Sequence, residues 1–361
     1  MDKKKIIFYA PVGNGVPDHK LGGGEKGCRR TREILTNAGY EVITVDKATM
    51  NGGAFAYLKS AVKALSSVKK LLKNNPDSIL YVVGFYEKNL SLEKLILNQG
   101  KGHKAIYEAR NGRLVKAYQE KDGLYKRLMD SVLMRADVIF AQGLEYVKFI
   151  KEKYGKDAVY TPNYVLNRSL KPYVGDRSFD PVRILYFGRV SESKNVDVVL
   201  NTAAIVKENG YPIHVTVIGG YTEDYKKQLD AVMVKANLSN DEVSFLGQQP
   251  FEVISDELQK THFFVFPSQE KMEGHSNSLT EAMTFGVVPV VSMAGFNASI
   301  VGNRELVVEQ INERAFANVV LKVLKEGTWG EYSKTVYDRV KENYTEDRVR
   351  RNILEALDRL R

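Results

Sequence analysis

Two carboxylates and two cations stand out along the chain for their spacing. Glu273 and Glu281 lie eight residues apart in the run FVFPSQEKMEGHSNSLTEAMTFGVVPVVS, residues 264–292. The pattern reads as a buried strand ending near Pro267, a polar loop, and a helix that opens near Asn277 and is stopped by Gly286. Gly274, His275, Ser276, Asn277 and Ser278 can turn backbone N–H groups toward a ligand at the positive end of that helix, which makes an anion site. Glu273 before the helix and Glu281 one turn inside it can accept hydrogen bonds from hydroxyl groups on two sides of such a ligand. Arg189 and Lys194 follow the strand of LYFGRVSESKNVDVVL, residues 185–200, with Gly188 allowing the turn between. Two cations five residues apart, ahead of a helix, can bracket a diphosphate. Phosphate donors flanked by hydroxyl-accepting carboxylates suit a molecule built as sugar, pyrophosphate and ribose.

These residues need a scaffold that brings strand ends together, and the hydrophobic rhythm supplies one. In the first half, KKIIFYA, YEVITVD, SILYVVGFY, KAIYEAR, ADVIFAQ and DAVYTPN read as short buried strands separated by helical patterns. The helix within LKSAVKALSSVKKLLKNN, from Leu58, shows Leu58, Val62, Leu65, Val68 and Leu72 on one face. After a polar stretch from Asn167 the rhythm restarts with VRILYFGR and continues through IHVTVIGG, EVSFLG, HFFVFPS and VPVVS. Strands of this length alternating with helices form parallel sheets covered on both faces. The fold class is therefore α/β with two doubly wound units: residues 1–168, residues 169–340, and a terminal amphipathic helix in 341–361 with Val349, Ile353, Leu357 and Leu360 on one stripe. Open sheets of this kind bind ligands at the carboxyl ends of their strands, so two facing units would enclose a cleft.

Composition narrows the setting. The chain has 361 residues and one cysteine, Cys28, so no internal disulfide or thiolate metal cluster forms. This fits a reducing, cytoplasmic compartment. The apolar run near the start is too short for a signal peptide, and no stretch reaches the length of a membrane span. Residues 1–168 hold 30 Lys+Arg against 17 Asp+Glu, and the remainder 23 against 27, so the first half carries all the excess positive charge. Such a half attracts nucleic acid, anionic lipid or a phosphorylated substrate. No nucleic-acid-binding motif accompanies it. Lys59, Lys63, Lys69, Lys70 and Lys73 sit on the helix from Leu58, either as a solvated face or as a docking surface for anionic lipid.

The paired motifs resemble the family-four retaining glycosyltransferases of GT-B architecture. Their Gly-Arg…Lys loop is matched by Gly188, Arg189 and Lys194, and their Glu-x7-Glu motif by Glu273 and Glu281. TPNYV from Thr161, the glycine-rich segment from Gly22 and the terminal helix resemble further parts of that family, so the likeness runs along nearly the whole chain. The resemblance implies two Rossmann-like domains, with the last helix crossing back to the first. It implies a UDP- or GDP-sugar donor whose diphosphate meets Arg189 and Lys194, with Glu273 on the sugar, Glu281 on the ribose and Gly247 and Gln248 near the base. Gly22 and Gly23 would approach the phosphates. The acceptor would be a glycan or a lipid-linked glycan, and no cofactor or metal is called for, in keeping with the lack of an Asp-x-Asp motif. Where many members place a histidine near the reacting centre, this chain offers Glu108 and Arg110, as acceptor-side groups or as an ion pair. His275 is a donor contact or a local cap, and His19, His214 and His262 read as structural or solvated. Gly22 to Gly27 also satisfies G-x-G-x-x-G with Asp46 downstream, the fingerprint of an NAD-dependent oxidoreductase or epimerase. A non-enzymatic basic binder of membrane or nucleic acid is the other alternative.

Overall fold

The computed structural model describes residues 3–16, 21–47, 53–84, 87–110, 112–175, 177–270 and 273–360; His19 lies outside them. The chain divides into two compact units, one of Met1–Asn163 with Val349–Arg361 and one of Tyr164–Arg348. The first holds β1 (Lys5–Ala10), β2 (Glu41–Asp46), β3 (Ile79–Gly84), β4 (Ala105–Ala109), β5 (Val138–Ala141) and β6 (Ala158–Tyr160). They form one six-stranded sheet in the order β2-β1-β3-β4-β5-β6, and every pairing is parallel. The second unit holds β7 (Val182–Phe187), β8 (Ile213–Ile218), β9 (Val243–Gly247), β10 (Phe263–Phe266), β11 (Val288–Ser292) and β12 (Val307–Val308). Its order is β12-β11-β10-β7-β8-β9, again parallel throughout.

The central strands explain why periodicity alone located them. Ile79–Gly84 and Phe263–Phe266 are buried at every position. Strands covered on both faces by helices read as unbroken apolar runs. β12, only two residues long, gives no such signal and was not anticipated.

Two boundaries differ from the sequence reading for local reasons. Residues 164–168 join the second unit because Val165 pairs with Thr345: its N–H donates to the Tyr344 carbonyl at 2.8 Å, and its own carbonyl accepts from Glu346 N–H at 3.2 Å. The final helix, Glu346–Asp358, belongs to the first unit from Val349 onward, with Val349, Ile353, Ala356 and Leu357 buried. Its Asn352 side chain donates to the Tyr160 carbonyl at 3.0 Å.

The helix Gly53–Asn74 corrects a third expectation. Its buried residues are Ala61, Ala64, Val68 and Leu72, whereas Leu58 and Val62 are exposed. Two alanines on the inward stripe bring the helix backbone close to its neighbours, and the larger apolar residues of its first half rotate away from the core.

Candidate functional site

In the second sheet β7 and β10 are neighbours, but their successors lie on opposite sides: β8 beyond β7 and β11 beyond β10. This reversal is the topological switch point where open α/β sheets take ligands at their carboxyl edge. The loops that leave this edge carry the motif residues. Gly188 (φ 147°) follows β7 and Gly219 (φ 151°) follows β8. A Cβ at Gly219 would lie 1.7 Å from the Gly188 carbonyl oxygen, so the two backbones meet only because Gly219 has no side chain. Gly188 N–H donates to the Ile218 carbonyl at 2.9 Å and Gly219 N–H to the Gly247 carbonyl at 2.8 Å, continuing the ladder past the strands. Gly247 closes β9 in a left-handed conformation, and Gln248 beside it is exposed.

The loop after β7 is stitched to the loop after β10. Asn195 takes a left-handed conformation (φ 50°), which asparagine tolerates better than most residues, and its amide donates to the Pro267 carbonyl at 2.8 Å. Gln269 N–H donates to the Ser193 carbonyl at 2.9 Å. This bracing aims Lys194 at Glu273. Their side chains form a nearly buried ion pair, and Ser268 ties both ends, with its Oγ 3.3 Å from Lys194 Nζ and donating to Glu273 at 2.7 Å. Ser292 at the end of β11 in turn donates to the Ser268 carbonyl. The Lys194 ammonium also lies 5.4 Å from the Phe266 ring centroid. Tyr186 stays protonated beneath this cluster: burial, and next the Glu273 charge, push its hydroxyl well above the usual tyrosine range. That hydroxyl donates to the Arg189 carbonyl at 2.7 Å. Arg189 itself is 68% exposed and 3.5 Å from Glu270, which also accepts from Ser193 at 3.0 Å.

The helix Asn277–Thr284 begins at this edge. Ser276 is its N-cap and accepts from Leu279 N–H at 3.3 Å. The N–H groups of Asn277 and Ser278, in the first turn, have no partner inside the helix. Glu281 sits one turn further, half-buried. Gly286 (φ 68°) ends the helix, as expected. Gly295 lets the loop after β11 lie against the Glu273 backbone, since a Cβ there would be 2.0 Å from the Glu273 carbonyl. His275 is buried, its ring edge-on to Tyr344 at 5.0 Å, and the cap belongs to Ser276 instead.

In the first unit, Glu108 and Arg110 meet each other. Arg110 Nε lies 2.7 Å from Glu108 Oε1, Tyr81 donates to Oε2 at 2.8 Å, and Arg110 also donates to Thr31 at 2.9 Å and to Asn163 at 3.3 Å. Burial works against the Arg110 charge, the adjacent carboxylate outweighs it, and the guanidinium is held above its ordinary value. Both side chains are buried and engaged, which defines the ion-pair alternative for them. A second buried pair, Lys47–Glu93, is tied to Tyr107 at 2.8 Å.

The glycine-rich segment is not a tight dinucleotide turn. β1 ends at Ala10, and the helix Gly23–Asn37 starts with Gly22 as its N-cap, so Gly24 and Gly27 lie inside it. Gly27 has a packing reason: a Cβ there would fall 2.2 Å from Arg110 Nη1. The NAD reading therefore loses its structural basis. Sequence reasoning missed Ser193, Gly219, Ser268, Glu270, Ser292 and Gly295. Only the Pro267–Ser268 step directly after a buried strand offered a hint of one of them.

Two six-stranded parallel sheets, with the cation–carboxylate cluster at the switch point of the second, define a GT-B glycosyltransferase fold. Residues 176–343 match the family model described as glycosyl transferases group 1. Over 121 residues it is 34% identical to the amylovoran biosynthesis glycosyltransferase AmsK of Erwinia amylovora, a match spanning 32% of this chain and 29% of that protein. Sucrose-phosphate synthase from Thermosynechococcus elongatus superposes with a TM-score of 0.75 at 16% identity over 99% of both chains. HepE of Anabaena, solved in complex with UDP, does so with a TM-score of 0.71 at 14% identity, over 98% of this chain and 99% of that one.

Proposed function

We propose that this protein transfers a sugar from a UDP- or GDP-sugar to a glycan or lipid-linked acceptor in polysaccharide or glycolipid assembly, with retention of anomeric configuration and without a metal. The observation that carries the reading is the Lys194–Ser268–Glu273 cluster at the β7/β10 switch point, beside the N-terminus of the helix Asn277–Thr284. As the sugar–phosphate bond breaks, negative charge grows on the departing diphosphate. Lys194, held before the substrate arrives, and Arg189, exposed beside Glu270, stabilise that charge together with the N–H groups of Asn277 and Ser278. Glu273 exchanges its contact with Lys194 for donor-sugar hydroxyls, and Glu281 holds the ribose. Gly247 and Gln248 lie toward the base.

The biosynthetic name of the Erwinia amylovora relative supports a polysaccharide setting, and UDP in the Anabaena structure supports a UDP-sugar among the donors. The single cysteine, buried, fits a reducing cytoplasm. We further place the enzyme at the inner face of the membrane, where a lipid-linked acceptor resides; among the described residues no helix is long and apolar enough to cross it.

The test is proton NMR of the product formed from an α-linked UDP- or GDP-sugar in the presence of a chelator. An α-linked product at an undiminished rate is expected. A β-linked product overturns retention, and loss of turnover restored by a divalent cation overturns metal independence.

A further inference from the structure

The helix Gly53–Asn74 presents an outward face that the core does not use. Phe55 is 82% exposed, Leu58 60% and Val62 58%, although all three are large and apolar. At roughly 100° per residue they fall on one stripe, which Lys69 and Lys73 continue, while Lys59, Lys63 and Lys70 run along one side of it. All five lysines are exposed. The helix, GAFAYLKSAVKALSSVKKLLKN, contains no acidic residue. None of the five lysines forms an ion pair with a carboxylate among the described residues, whereas lysines elsewhere in this unit do so repeatedly. Its inner face is already satisfied by Ala61, Ala64, Val68 and Leu72. An apolar stripe bordered by unneutralised lysines is the pattern of a helix that lies in the plane of a bilayer interface, burying its apolar residues and drawing in anionic headgroups.

We propose that this helix docks the protein on an anionic lipid bilayer, with Phe55, Leu58 and Val62 entering the boundary between headgroups and acyl chains and the five lysines contacting anionic headgroups. Charge complementarity selects the occupant. A second copy of this chain would bring five more lysines against these, a repulsion that anionic lipid replaces with attraction. Nucleic acid would use the lysines but leave the apolar stripe in water. The inference deepens the lipid-linked acceptor reading and names the surface that would bring the enzyme to it.

The experiment is flotation of the full chain with vesicles of phosphatidylcholine alone or mixed with phosphatidylglycerol, at low and high salt. Binding to the anionic vesicles only, weakened by salt, is expected. Phe55→Ser with Leu58→Ser should weaken it by ~10-fold or more through lost apolar burial. Lys59→Glu with Lys63→Glu should weaken it by a comparable factor. Phe55→Trp should show a blue shift and quenching by brominated acyl chains, which reports insertion directly. Indifference to anionic vesicles, or binding by both double variants as tight as that of the unaltered chain, overturns the proposal. So does concentration-dependent dimerisation that Phe55→Ser abolishes, or tight binding of DNA unaffected by the serine variants. Thermal stabilisation by nucleotide sugars, measured on the unaltered chain, separates the two readings: stabilisation without flotation on anionic vesicles sinks only the docking, and flotation without stabilisation sinks only the donor site.

Discussion

The two units each bury an ion pair at the carboxyl end of a strand, and the pairs are built differently. Glu108 and Arg110 satisfy each other and are closed in by Tyr81, Thr31 and Asn163, with Gly27 withdrawn to make room. Lys194 and Glu273 share Ser268 and stand at a switch point, in loops that also carry the exposed Arg189 and lead into the helix Asn277–Thr284. A pair surrounded by neutral partners from its own unit is a strut, and removing one member leaves an uncompensated buried charge. A pair at a switch point beside a helix N-terminus is where the proposed donor site lies.

The contrast can be broken by substitution, beginning with the largest effect. Lys194→Ala should lower kcat/KM by ~1000-fold, the scale of losing a preorganised charge donor, while the melting temperature shifts little; steady-state kinetics beside a thermal melt checks both. Arg110→Met should do the reverse, costing ~3–5 kcal/mol of stability with donor affinity unchanged in whatever protein remains folded, as read by denaturant titration. Gly27→Ala should drive a methyl group into Arg110 and cost ~1–3 kcal/mol, and Arg110→Met should relieve most of that cost in the double variant. Ser268→Ala, which leaves both charges in place, should reduce turnover by only ~10-fold.

Another buried group, outside both pairs, tests stability against pH. His262 stacks on Phe179 and accepts from Arg183 N–H, and burial lowers its value to about 4. Because the folded value lies below the unfolded one, its contribution is complete above the unfolded value and is lost as pH falls from about 6.5 toward 4, by up to ~3 kcal/mol. His262→Gln should flatten the melting temperature across that window.

The sequence revealed the strands because a sheet covered on both faces demands continuous apolar runs. It revealed Lys194, Glu273 and Gly286 because loop chemistry next to such strands is constrained. Ser268, Glu270 and Gly295 stayed hidden. They act on residues that the fold, not the sequence, makes neighbours, and the Pro267–Ser268 step hinted at only one of them. The helix from Gly53 shows the converse failure: its leucine and valine periodicity holds for Val68 and Leu72, but in the first half Ala61 and Ala64 take the core face while Leu58 and Val62 are exposed. Glu108 and Arg110 were legible as a charged pair at a strand end, whereas the closed set of partners around them was not.

The most direct measurement is isothermal calorimetry of UDP- and GDP-sugars in the presence of a chelator, on the native protein, Lys194→Ala, Glu281→Ala and Arg110→Lys. Micromolar binding of one nucleotide class is expected, weakened by ~10-fold or more in the first two variants through lost charge-assisted contacts and kept in the third. Binding that survives loss of Lys194 and Glu281, or that is absent for every nucleotide sugar, would contradict a donor site at the β7/β10 switch point.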